Sequence, residues 1–197
     1  MNIVDHYLAG LRKALPPEPL AELALASGAS TVQLASLRQA YPLCPDSVLH
    51  LLGKYNGTYY QKYAGGTVLV YMLGSDVFEY PYYLSSVEQI LEDEQANQRS
   101  IADIYGHYLK DDPGIVDARI DAAIQQGQRL CFSHCMNNGG SSRLYIDFTP
   151  AASGKVGQIV RFLHDPDNYQ VIADSFDAYL QMLIDDGYGF LIEENFE

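Results

Sequence analysis

Ser142-Arg143-Leu144-Tyr145-Ile146-Asp147-Phe148 sets Leu144, Ile146 and Phe148 on one side of an extended chain, the two-residue period of a half-buried strand. Before it, Arg129–Ser133 reads as a strand and Asn137-Asn138-Gly139-Gly140 as a turn. After it, Thr149-Pro150 to Gly154 is a loop, Val156–Leu163 the next strand and Tyr169–Ala173 a shorter one. Consecutive strands with short connections imply a largely antiparallel sheet. Asp174-Ser175 then caps a helix with Phe176, Tyr179, Leu180, Leu183 and Ile184 along one side.

Towards the N-terminus the period changes to helical. Ile3, Val4, Tyr7, Leu8, Leu11, Ala14 and Leu15 form an amphipathic helix that ends before Pro16-Pro17. Leu20–Ala26 and Thr31–Tyr41 read as two more helices, and Pro45-Asp46-Ser47 opens a fourth that Asn56-Gly57 stops. Thr67–Leu73 reads as one buried strand, and Phe78–Tyr83 as an extended edge or loop because it contains Pro81. Ser85-Ser86-Val87-Glu88 begins a helix expected to run towards Gln128, broken near Asp111-Asp112-Pro113-Gly114 and resumed over Ile115–Gln126. The class is therefore α+β, with N-terminal helices packed on a largely antiparallel sheet and a C-terminal helix.

The chain has 197 residues, 48% of them apolar, enough for a folded core, and carries a formal net charge of −13. That acidity excludes a generic nucleic-acid or anionic-membrane binder, whose phosphate affinity is supplied by Lys and Arg, and it permits a basic partner. Segments 85–121 and 177–197 each net −6, leaving the rest nearly neutral. Charge concentrated in this way either steers a basic partner or solvates a surface; convergence of the two segments in space decides for the first. Eight of the sixteen tyrosines fall between Tyr55 and Tyr83, and such a cluster either covers a sheet or forms an interface. Three cysteines, the absence of a basic, apolar leader and the absence of an apolar span imply a cytoplasmic protein with reduced thiols.

Chemical motifs are weak. Cys131-x-x-His134-Cys135 suggests a thiol–metal site, but a second ligand pair is lacking, and in a continuous strand Cys131 and Cys135 face away from His134. Gly154-Lys155 lacks the rest of a phosphate loop and leads into a strand. Asp165-x-Asp167-x-Tyr169 lacks the remaining ligands of a calcium loop. No nucleophile motif accompanies the histidines, so no catalytic residue, metal or cofactor is assigned.

Four blocks in order resemble the SUKH superfamily, which includes fungal cell-wall-assembly regulators. They are Pro45-Asp46 through Lys54-Tyr55-Asn56-Gly57; Tyr83-Leu84-Ser85-Ser86-Val87-Glu88-Gln89-Ile90; Gly139 through Phe148 with Gly157-Gln158-Ile159-Val160; and Val171-Ile172-Ala173-Asp174-Ser175-Phe176-Asp177-Ala178-Tyr179-Leu180. Cys44 stands where Leu is usual, the chain has no Trp, and residues 92–127 are longer than the common pattern. The resemblance implies one domain over 1–197, with a core at about 34–186, a helical extension over 1–33 and an acidic tail over 187–197. It also implies a non-enzymatic protein-binding domain, since bacterial members are commonly immunity proteins that neutralise a toxin. The partner is then a protein, such as a basic nuclease toxin, with Tyr59, Tyr60, Tyr82, Tyr83, Asp111, Asp112, Asp185 and Asp186 as candidate contacts. The alternatives are a regulatory scaffold with another protein partner and, with less support, a thiol or metal enzyme centred on Cys131, His134 and Cys135. Oligomeric state is left open.

Overall fold

The computed structural model describes residues 2–137 and 139–192, so Asn138 of the expected turn and residues 193–197 of the expected acidic tail lie outside the described residues. Four helices come first: α1 (Ile3–Ala14), α2 (Pro17–Leu23), α3 (Thr31–Ala40) and α4 (Asp46–Lys54). A small hairpin follows, β1 (Gln61–Tyr63) with β2 (Gly66–Val68). The main antiparallel sheet comprises β3 (Tyr71–Leu73), β4 (Tyr82–Leu84), β5 (Leu130–Cys131), β6 (Ser133–Asn137), β7 (Gly140–Asp147), β8 (Gln158–Leu163) and β9 (Asn168–Ala173). Its order is β3-β4-β6-β7-β8-β9, with β5 also paired to β7. Between β4 and β5 run α5 (Val87–Ala96), α6 (Ile101–Tyr105) and α7 (Tyr108–Asp111), and α8 (Phe176–Asp185) closes the fold. The α+β class stands.

Each face of the sheet has its own core. On the first, Leu84, Cys135, Leu144, Ile146 and Ile159 pack with Phe132 against α1, α4 and α8, where the Phe176 and Tyr179 rings meet Phe132 edge-on. On the second, Cys131, Tyr145, Val160, Tyr169 and Val171 lie beneath Ile101, Tyr105, Leu109, Val116 and Ile120 of segment 98–125. The residues that make the middle of the chain long are therefore a cover for the second face. Of the acids in the two segments, Asp111 and Asp112 end α7 on the second face and Asp185 and Asp186 end α8 on the first, while α5, with Glu88, Glu92, Asp93 and Glu94, packs Val87 and Ile90 into the first core.

The cover is not the resumed helix expected over Ile115–Gln126. Asp112, Asp117 and Asp121 each accept the backbone N–H two residues on, at 2.9 Å, and these side-chain turns compete with helical bonding. Only short 3₁₀ turns remain, over Pro113–Ile115 and Gln126–Gln128. The expected strand over Thr67–Leu73 is likewise split, because β2 pairs with β1 while β3 pairs with β4. The second helix starts at Pro17 instead of Leu20, with proline in the first turn where its missing N–H costs nothing.

A buried cross-strand ion pair fastens the cover. Arg129 and Asp147 are wholly buried, with Nε and Oδ1 3.4 Å apart. The guanidinium also donates to the carbonyls of Asp121 (2.6 Å) and Ile124 (3.3 Å) and to Gln126 Oε1 (3.2 Å). Asp147 accepts from Gln158 Nε2 and the Thr149 N–H, both at 3.1 Å. Buried charges persist only when paired and hydrogen-bonded in this way.

Both sheet edges are occupied. At β3, the Tyr7 hydroxyl of α1 donates to the Met72 carbonyl and the Tyr179 hydroxyl of α8 donates to that of Gly74 at 2.7 Å. At β9, the Asp117 N–H bonds the Tyr169 carbonyl at 2.9 Å and Arg119 the Val171 carbonyl at 3.1 Å. Such capping blocks edge-to-edge pairing.

Arg129→Met leaves Asp147 buried without its cation and is expected to cost about 3–5 kcal/mol in urea unfolding. It is also expected to speed tryptic cleavage at the exposed Arg99 and Lys110 of the cover. The double variant Arg129→Met/Asp147→Leu, which removes both charges, should recover much of that loss.

Candidate functional site

The cover protects only the β7–β9 part of the second face; the part over β3, β4 and β6 stays open. There Tyr71 lies opposite Tyr83, and Tyr83 opposite His134, a side-chain row across three strands. The Tyr71 and Tyr83 rings stack at 4.3 Å. Tyr59 stacks on His134 at 4.1 Å and touches Tyr83 (5.4 Å) and Tyr60 (5.2 Å). Tyr60, at φ 48°, and Met136 are each 64% exposed.

Local chemistry places each of these groups. Gly57 turns the chain at φ +91°, where a Cβ would stand 2.6 Å from the Ser86 nitrogen. Asn56 Oδ1 accepts the Val87 N–H at 2.9 Å, Thr58 Oγ1 accepts that of Leu84 at 3.0 Å, and Gln89 Nε2 donates to the Tyr59 carbonyl at 3.0 Å. The Asn56-Gly57 block thus ties helix α5 to the loop that presents Tyr59 and Tyr60.

A bulge places His134. Cys131 pairs with Tyr145 but Cys135 with Ser142, so the register shifts by one at Phe132-Ser133. The Ser133 hydroxyl accepts the Leu144 N–H at 2.8 Å in place of a backbone partner. This corrects the alternation expected of a continuous strand: Cys131 and His134 share the second face, and Cys135 joins the first-face core.

Between α5 and this row lies a recess of about 460 Å³, lined by Tyr59, Gln89, Glu92, Asp93, Cys131, His134 and Arg143 among others. Arg143 pairs with Asp93. Burial raises the Asp93 carboxyl, against the opposing pull of Arg143. Burial, reinforced by the charge of Asp93, pushes the Cys131 thiol up to about 12. Burial and then Arg143 lower His134, so its imidazole is neutral near pH 7. A protonated thiol beside a neutral imidazole offers no thiolate nucleophile, and no group of three or more metal-ligating side chains occurs among the described residues.

Of the candidate contacts, Tyr59, Tyr60 and Tyr83 come together on this face. Tyr82 does not: it points the other way from Tyr83, is wholly buried and belongs to the first-face core. Asp111, Asp112, Asp185 and Asp186 are exposed but stand on the outer surfaces of the two helical layers. Tyr71, within the stretch Thr67–Leu73 expected to be a buried strand, is half-buried in the row, and the roles of His134, Met136 and Arg143 in it followed from no sequence signal, since the bulge sets them.

A helical layer on one side of an antiparallel sheet, an Asn-Gly turn before α5 and a capped α8 after the last strand define a SUKH-superfamily α+β domain. The model of one of its families, SMI1 / KNR4 (SUKH-1), matches residues 28–182, and the chain belongs to that family. Proteins of this kind are known as immunity proteins or their relatives and are generally non-enzymatic. No curated protein matches the chain in sequence. No helix among the described residues is long and apolar enough to cross a membrane.

Because the folded state lowers the His134 pKa, the unfolded chain binds its proton more readily. The associated stability is present above the ordinary value of 6.5 and is lost as pH falls through the lower folded value. His134→Phe keeps a ring against Tyr59 and removes the proton. Its melting temperature is expected to fall less than the parent's between about pH 7.5 and about pH 5.5.

Proposed function

We propose that the chain is a non-enzymatic immunity protein that neutralises a cognate bacterial toxin by docking its open aromatic face on it. The observation that carries the reading is the uncovered row Tyr71–Tyr83–His134 with Tyr59, Tyr60 and Met136 beside it. Tyrosine joins a large apolar body to a hydroxyl that is satisfied wet or dry, which suits a surface exposed before binding. Both edges of the main sheet are capped, so its side chains, not strand addition along it, are the mode of capture. Helix α5 flanks the face with Glu92 and Asp93, a border that favours a basic partner such as a nuclease. The site of action is the cytoplasm, which keeps the three free thiols reduced.

Co-expression with the toxin encoded beside its gene tests the reading. Rescue of growth and a co-purifying complex are expected, with an association rate that falls as salt rises. Tyr60→Ala should weaken the complex about tenfold or more, while Val156→Ser, at a remote exposed apolar residue, should leave it unchanged. Growth arrest without a complex defeats the reading for that toxin. Capture of a cellular regulatory complex in the toxin's place would favour a scaffold.

A further inference from the structure

The recess beside the aromatic row has an unmet chemistry. Asp93 Oδ1 is taken by Arg143 and by Asn97 Nδ2, but Oδ2 is buried with no donor. His134 Nδ1, in the same recess, is also buried without a partner. Its other nitrogen lies 3.4 Å from Ser141 Oγ; with the proton there, Nδ1 is a lone-pair acceptor. Glu92 adds an exposed carboxylate, so Glu92 and Asp93 outweigh Arg143 by one negative charge. The stacked Tyr59 and His134 rings supply a flat aromatic wall. Unmet acceptors, a negative balance and an aromatic face together call for a planar cation that only donates hydrogen bonds, which is a guanidinium.

We propose that this recess seats an arginine side chain of the protein partner. The guanidinium lies on the face of Tyr59 that His134 does not occupy, donates to Asp93 and pairs its charge with Glu92. Asp93 Oδ2 is buried in the empty recess, so seating the cation requires the carboxylate to turn, which ends the unbonded burial of that oxygen. Lysine fits less well, because a compact ammonium neither stacks flat nor bridges the Glu92 and Asp93 carboxylates. The proposal rests on the reading of this face as a docking surface and names the residue that anchors there.

The test uses the full chain, isotope-labelled, and small probes, so its outcome does not depend on finding the toxin. N-acetyl-arginine amide is expected to shift the Tyr59 and His134 ring resonances saturably, with a Kd on the order of 1 mM. The citrulline analogue, equal in shape but uncharged, should bind at least about tenfold more weakly, and the lysine analogue should also bind more weakly than arginine. Glu92→Gln, at an exposed residue that carries no fold contact, should weaken the arginine probe about threefold. Absence of a saturable shift, or equal binding of the citrulline or lysine analogue, overturns the proposal. If a toxin complex forms while the arginine probe fails, only the anchor is wrong; if the probe binds while no toxin is neutralised, only the toxin reading is.

Discussion

The Arg129–Asp147 pair is the constraint on which the second face depends. Two charges buried side by side are tolerable only when every remaining donor and acceptor is met, and most of the donors have to find carbonyls nearby. Segment 117–128 brings those carbonyls, from Asp121 and Ile124, together with the Gln126 side chain. Satisfying the arginine therefore folds the segment back over the sheet. Ile120 is carried with it into the second core, and Asp117 and Arg119 reach the β9 edge. One cross-strand pair thus fixes which part of the sheet is covered and, by default, which part stays open.

The open part owes its character to two smaller devices. The bulge at Phe132-Ser133 turns His134 onto the second face, and the Asn56-Gly57 turn brings Tyr59 over it. Neither is costly, because Ser133 replaces the lost ladder bond and glycine takes the left-handed backbone. Together they set aromatic rings beside an ion pair that is only partly satisfied, a combination a hydrophobic core would exclude.

Much of this was legible in the sequence, because the two-residue and helical periods are strong where one side of an element is buried. The strands from Arg129 to Ala173, the four N-terminal helices and the terminal helix follow from them. The ordered blocks of the family were readable for the same reason, being caps, turns and core positions. What was not legible lay where side chains compete with the backbone. Asp112, Asp117 and Asp121 replaced an expected helix by turns, and Ser133 replaced a ladder bond and so moved His134 to the face where Cys131 already was. Tyr82 and Tyr83 look alike in sequence; only pairing register tells which one is core. The charge total was visible, but that Asp111 and Asp112 stand on one helical layer and Asp185 and Asp186 on the other required the sheet between them.

The sealed edges have a consequence for how such a domain can change. At both margins of the main sheet, backbone carbonyls are engaged by Tyr7, Tyr179, Asp117 and Arg119, so what the open face presents outward is chiefly side chains. Residues such as Tyr60, Met136 and Glu92 project from this scaffold without holding it together. Single substitutions there can therefore remodel the chemistry of this face while the architecture stays constant.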